Sequence, residues 1–168
     1  DGLGSAESLW LKGDPTIEEI MAEIDNFDFS SFSEVVFCGY GEPTEALDTL
    51  IETAKYLKEK YSLKIRLNSN GLSDLINGKP TAHLLEGIVD SISISLNAPD
   101  AESYQRVARS KFGMEAFPAL LEFAEDCKKY IPSVKFTVVD VLSKEEIERC
   151  KKIADDMGIP LRIREWIK

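Results

Sequence analysis

From Ser33 onward the chain alternates short β-branched runs with segments of helical period, a pattern that calls for parallel strands joined by helical crossovers. The fold class is therefore α/β. Five candidate strands stand out, over Val35–Cys38, Leu63–Asn68, Val89–Leu96, Val134–Val141 and Pro160–Trp166. Several are apolar nearly throughout, as expected of strands covered on both faces. Between them, Leu47, Leu50, Ile51, Ala54 and Leu57 form one helical stripe, and Phe117, Leu120, Leu121, Ala124 and Cys127 form another. Thr16 with Glu19, and Ser143 with Glu146, have the spacing of capping boxes; Gly158 and Pro160 stop the helix that the second box opens. Ile17, Ile20, Met21 and Ile24 follow the first box on one face, so a packed helix over Thr16–Asn26 precedes the first visible strand. That order implies a further strand upstream, absent from this chain, and six β/α units in all. Six is fewer than the eight of a complete barrel. The reading is a loop over 1–15 and one partial (β/α)6 barrel domain over 16–168. An open doubly wound sheet is the alternative, since pattern alone leaves closure undecided.

Composition narrows the function classes. With 168 residues, 43% of them hydrophobic, the chain can bury a core without disulfides or a structural metal. Its net charge of −10, with basic residues scattered, lacks the footprint of a duplex-binding protein, so no nucleic-acid partner is expected. Cys38, Cys127 and Cys150 are odd in number and far apart, which suits a reducing compartment; a cytoplasmic protein is expected. Cys127 and Cys150 fall on apolar stripes and read as buried structural thiols. No apolar run approaches a membrane span of about 18 residues, and Asp1-Gly2-Leu3-Gly4-Ser5 resembles no signal peptide.

In parallel β/α folds, ligands bind at the carboxyl ends of the strands. Three such ends carry polar groups and glycines. Cys38-Gly39-Tyr40-Gly41-Glu42-Pro43 lets backbone approach a ligand closely and sets a carboxylate just past a strand, although it also reads as a tight strand-to-helix turn. Asn68-Ser69-Asn70-Gly71 offers two amides, and also a common turn dipeptide. In Ser91-Ile92-Ser93-Ile94-Ser95-Leu96-Asn97, a period of two places the serines and Asn97 on one face and the apolar residues on the other. A small polar face inside a barrel suggests a cavity that admits something polar; the other reading is an edge strand with a solvated face.

These three segments carry a resemblance. Gly39-Tyr40-Gly41-Glu42-Pro43 resembles the glycine-glycine-glutamate motif after the second strand of radical SAM enzymes. Ser69-Asn70-Gly71 is similar to that family's Thr-Asn-Gly after the third, and Ser95-Leu96-Asn97 sits where the fourth strand meets the ligand. Leu9-Trp10-Leu11 and the wording Val36 to Pro43 resemble, more narrowly, the radical SAM proteins associated with TatD-type nucleases. The resemblance implies S-adenosylmethionine as a cofactor. Gly39, Tyr40, Gly41 and Glu42 would hold its amino group; Asn70, Ser95 and Asn97 would sit near the ribose and carboxylate, and Val139 (or Val138) near the adenine. It also implies a 4Fe-4S cluster, an electron donor, and reductive cleavage of S-adenosylmethionine to a 5′-deoxyadenosyl radical.

One departure matters. The family's Cys-x3-Cys-x2-Cys motif has no counterpart here, so no metal ligands or catalytic residues are assigned and this chain alone is expected to be inactive. Either the cluster segment lies outside the chain, or the protein is a non-catalytic scaffold that binds a nucleotide-like ligand or a protein partner. A barrel enzyme using Glu42 as a base would need a strand-end lysine or metal ligands; Lys64 and Lys135 read as strand beginnings. His83 reads as a capping or surface residue, and Arg106, Arg109 and Lys111 as solvated helix-end charge, the alternative being contact with an anionic substrate. The substrate is unknown.

Overall fold

The computed structural model describes residues 13–166, so the expected loop over 1–15 and the segment Leu9-Trp10-Leu11 lie mostly or wholly outside the described residues. Within them, α1 (Ile17–Asp25) is followed by β1 (Glu34–Phe37), α2 (Leu47–Tyr61), β2 (Lys64–Ser69), α3 (Ser73–Asn77), β3 (Ser91–Ser95), α4 (Ala101–Ala108), α5 (Ala116–Tyr130), β4 (Ser133–Val139), α6 (Lys144–Met157) and β5 (Leu161–Arg164). Each expected strand forms. The two capping boxes form as well: Thr16 and Ser143 each accept from the N–H three residues on, and Glu19 and Glu146 return a carboxylate to the cap N–H. Gly158, in the left-handed region, closes α6.

The five strands make one parallel sheet in the order β1-β2-β3-β4-β5. A doubly wound sheet would reverse its order at a switch point, and this one does not. With crossovers of one hand, every helix falls on the same side. The other side is concave: residues at the ends of β1 and β5, the two outer strands, line one common cleft. A flat five-stranded sheet would hold those strands about 19 Å apart, from a spacing of about 4.8 Å per strand. The architecture is a partial parallel β/α barrel.

Register sorts the side chains. Ile65, Leu67, Ile92, Ile94, Phe136 and Val138 point to the helices and are fully buried. They pack on Leu50, Ala54 and Leu57 of α2, and on Leu120, Phe123, Ala124 and Cys127 of α5. Ser91, Ser93 and Ser95 take the concave face. Because β3 is the central strand, the edge-strand reading of its serines is overturned. Two other expectations also shift. Lys64 does open β2, but Lys135 lies three residues into β4, paired in register with Ser93 on the concave face. The stripe of α1 is half-buried, with no fully buried residue, so this helix is lightly attached.

Ile24 packs against the core, and a polar cluster adds to its hold on α1. The Asp25 carboxylate accepts from the Tyr56 hydroxyl (2.7 Å), the Lys60 ammonium (2.7 Å) and the Tyr61 hydroxyl (2.6 Å), all on α2. The Lys60 hydrogen bond, then those from Tyr61 and Tyr56, draw the Asp25 carboxyl down to about 2. A depressed carboxyl stabilises the folded state above its unfolded value of 3.8, and that contribution is lost as pH falls through about 2. We therefore expect amide protection in α1 to decline between about pH 4 and pH 2 in the wild type. In Asp25→Asn it should already be low and insensitive to pH over that window, as hydrogen exchange corrected for intrinsic rates would show.

Candidate functional site

At the carboxyl end of β1 the chain turns through Gly39 (φ 143°) and Gly41 (φ 126°), conformations that disfavour any side chain. A Cβ at either position would meet nothing within 4 Å, so both glycines border open space. Glu42 then ends the loop and caps the short helical turn Pro43–Ala46. Its Oε1 accepts from the Thr44 N–H (3.2 Å), the Thr44 hydroxyl (2.8 Å) and the Ser69 hydroxyl (2.8 Å). Its Oε2 accepts from the Asn70 N–H at 2.6 Å. One carboxylate thus ties the loop after β1 to the loop after β2. Oε2, with a single donor, keeps a lone pair for another partner.

The second loop is equally determined. The Ser69 hydroxyl also accepts from the Gly71 N–H (3.0 Å), and Asn70 Oδ1 accepts from the Leu72 N–H (2.8 Å). Gly71 has φ 79°, and a Cβ there would fall 2.8 Å from Ile94 and 2.9 Å from Leu120. After β3, Asn97 adopts φ 55°, tolerated by asparagine better than by most residues, and Ala98 N–H donates to the Leu96 carbonyl at 2.7 Å. This sharp turn sets Asn97 beside Ser95 at the strand end.

The three loops meet. Gly39, Gly41, Glu42, Asn70, Ser95 and Asn97 line one open cleft of about 600 Å³, together with Cys38, Asn68, Ser69 and Arg164. Asn70, Ser95 and Asn97 also border a neighbouring hollow of about 310 Å³ whose walls include Leu72, Ile76, Tyr104 and Phe112. Burial, with the nearby Glu42 charge, pushes the Tyr104 phenol up to about 12. Tyr40 is exposed and faces a shallow groove formed by its own loop, Phe37 to Pro43. Val139 lines a third hollow with Ile163 and Trp166, joined to the cleft through Arg164, which borders both. Val138 is fully buried on the helix side and does not reach the concave face.

A family profile described as the Radical SAM superfamily matches residues 6–157. The chain belongs to the radical SAM superfamily. Membership brings S-adenosylmethionine-dependent radical chemistry as the general class, and with it, in the family, a 4Fe-4S cluster. The chain is 27% identical over 152 residues to a protein of Methanocaldococcus jannaschii assigned as a glycyl-radical enzyme activating enzyme, covering 86% of this chain and 58% of that one. It is 26% identical over 152 residues to a dual-specificity RNA methyltransferase of Nautilia profundicola, covering 85% of this chain and 41% of the other. A protein of Thermococcus kodakarensis assigned as a GTP 3′,8-cyclase is 30% identical over 127 residues, covering 74% of this chain and 38% of its own length. This chain therefore spans between 38% and 58% of the length of these curated relatives. Their names describe three different reactions, so superfamily membership does not pick one.

The residues present fit S-adenosylmethionine and do not fit the cluster. Two glycines open the cleft floor, Glu42 has a lone pair to spare, and Asn68 carries a buried side-chain oxygen with no donor among the described residues. Such an atom calls for a donor. For the cluster, no group of three or more His, Cys, Asp or Glu is placed to hold a metal among the described residues. Cys38 is exposed at the cleft, whereas Cys127 and Cys150 are buried in the helix layer, where desolvation pushes both thiols up, Cys150 to about 11. No helix among the described residues is long and apolar enough to cross a membrane.

Sequence reasoning missed several residues. Thr44 helps Ser69 hold Glu42, but nothing in its local pattern marks it. Tyr104 lies on α4, whose eight residues are too few to mark it as facing the site. Arg66, Arg162 and Arg164 are ordinary strand charges until register brings them to one face.

Proposed function

We propose that this chain is the S-adenosylmethionine-binding portion of a radical SAM enzyme whose cluster cysteines it does not itself supply, and that alone it is inactive. The observation that carries the reading is the Glu42 carboxylate, which fastens the loops after β1 and β2 together at the floor of a cleft shared with Ser95 and Asn97. In this reading the ligand's ammonium group lies over Gly39 and Gly41, taking backbone carbonyls and Glu42 Oε2 as acceptors. Asn70, Ser95 and Asn97 orient the polar middle of the ligand. Val139, with Trp166, gives the adenine an apolar wall, and Tyr40 shields the loop from outside.

A cluster held by cysteines that this chain does not supply would deliver the one electron that splits the sulfonium carbon–sulfur bond into methionine and a 5′-deoxyadenosyl radical, which takes a hydrogen atom from the substrate to become 5′-deoxyadenosine. The residues of this chain do the rest: they fix the methionine end, exclude solvent from its underside and hold the substrate close. The complete protein, prepared without oxygen, loaded with iron and sulfide, reduced and given S-adenosylmethionine, is expected to form 5′-deoxyadenosine. No product and no retained iron would instead favour a non-catalytic β/α scaffold that binds a nucleotide-like ligand.

A further inference from the structure

Below the cleft, the concave face holds a second, smaller cavity of about 190 Å³ lined by Arg66, Asn68, Ser93, Ser95, Thr137, Arg162 and Arg164. Its charge runs against the rest of the molecule. The chain carries a net charge of −10, yet the strand residues on this face contribute Lys64, Arg66, Lys135, Arg162 and Arg164 against the carboxylate of Glu34. Among the described residues the Glu34 side chain engages only Arg66, through its Nε at 3.0 Å. Among the described residues neither the Arg162 nor the Arg164 side chain has an ion-pair or hydrogen-bond partner. Between these arginines, Ser93 and Thr137 are buried with short side chains, which leaves room and adds hydroxyl donors at the cavity floor.

Arg66 is offset by Glu34, while Arg162 and Arg164 are exposed and carry no carboxylate of their own, so the cavity presents a net positive charge whose complement is an anion. Guanidinium forks match the oxygens of phosphate and carboxylate, and the cavity's volume suits one such group. Its position adds meaning. Asn68, Ser95 and Arg164 line both this cavity and the cleft above, so a molecule anchored below projects its remaining atoms toward the ligand bound above.

We infer that the substrate of this barrel is a small oxyanion-bearing molecule, seated by Arg66 and Arg162 with its anionic group at the cavity floor. This deepens the S-adenosylmethionine reading and rests on it. Arg164 borders both spaces and is left out of the test; Arg162 borders this cavity and the hollow beside Val139, whereas Arg66 lines this cavity and neither the cleft nor that hollow.

The probes are inorganic pyrophosphate and tricarballylate, titrated separately into the chain and followed by NMR through the arginine Nε–H signals. The expected result is saturable shifts at Arg66 and Arg162 with a dissociation constant below about 1 mM for at least one probe, the tighter one naming phosphate or carboxylate as the anion. Arg66→Gln and Arg162→Gln should each weaken that binding at least about tenfold; because Arg162 also borders the hollow beside Val139, Arg66→Gln is the variant expected to leave S-adenosylhomocysteine binding intact. Glu42→Gln should do the reverse, so that loss of the nucleoside reading and loss of the anion reading are told apart. Unsaturable or absent shifts with both probes overturn the proposal. So does binding that survives both arginine changes, or a short RNA hairpin that perturbs the same arginines when neither small anion does. Should an arginine variant fail to fold, the wild-type shifts alone decide.

Discussion

Replacing Glu42 by alanine is expected to weaken S-adenosylmethionine binding by about 10- to 100-fold and to lower stability by roughly 2–4 kcal/mol, from the usual worth of hydrogen bonds to charged groups. Both effects trace to one carboxylate. Its loss leaves the hydroxyls of Thr44 and Ser69 and the N–H of Asn70 without their acceptor, in a part-buried setting where water replaces it only partly. The loops after β1 and β2 then lose their tie. Glu42→Gln separates the two contributions. Its amide oxygen can still serve Thr44 and Ser69, but its NH2 would face the Asn70 N–H, and the attraction for an ammonium group is gone. We expect Glu42→Gln to recover part of the stability and little of the affinity. Calorimetric titration with S-adenosylmethionine, beside urea unfolding of the same samples, reads both. Unchanged affinity in a folded Glu42→Gln protein would remove Glu42 from the binding role.

Gly71→Ala should be the most damaging single-carbon change in the site, at about 2–6 kcal/mol. Backbone strain and overpacking each supply roughly 1–3 kcal/mol. The backbone at φ 79° already disfavours a side chain, and the added Cβ would press on Ile94 of β3 and Leu120 of α5. Both of those residues are fully buried, so neither can swing away without moving its element. Gly41→Ala is the natural control. It meets the backbone penalty at φ 126° but no neighbour within 4 Å. Urea midpoints should therefore fall much further for Gly71→Ala than for Gly41→Ala, with similar m-values. Equal shifts would mean that the contact with Ile94 and Leu120 contributes nothing.

The features legible in the sequence were those decided within a few residues. Thr16 with Glu19, and Ser143 with Glu146, identified two helix starts because a capping box closes over three positions. The alternation through Ser91-Ile92-Ser93-Ile94-Ser95 sorted β3 into a buried and a polar face because pleating has a period of two. The glycine loop, Ser69-Asn70-Gly71 and Asn97 were legible as strand-end segments, and their resemblance to a family put them in one site. What escaped was of two kinds. Short helices such as α3 and α4 carry too few periodic positions to register against their surroundings. Residues such as Thr44 and Lys135 acquire a role only from what faces them.

The sequence by itself determined that this chain alternates strands and helices, where several of those elements begin, and which loops carry glycine and a carboxylate. These depend on backbone preference and side-chain period, which near neighbours set. The tertiary structure decided that the strands run in the order β1-β2-β3-β4-β5 and curl, so that Gly39 and Arg164, from opposite edges, share one cleft. It also decided that Glu42 binds Ser69 and Asn70, and that Arg66 meets Arg162 across a floor of serine and threonine. Those pairings follow from strand register and crossover hand, which join segments far apart in the chain and leave no mark in the residues on either side.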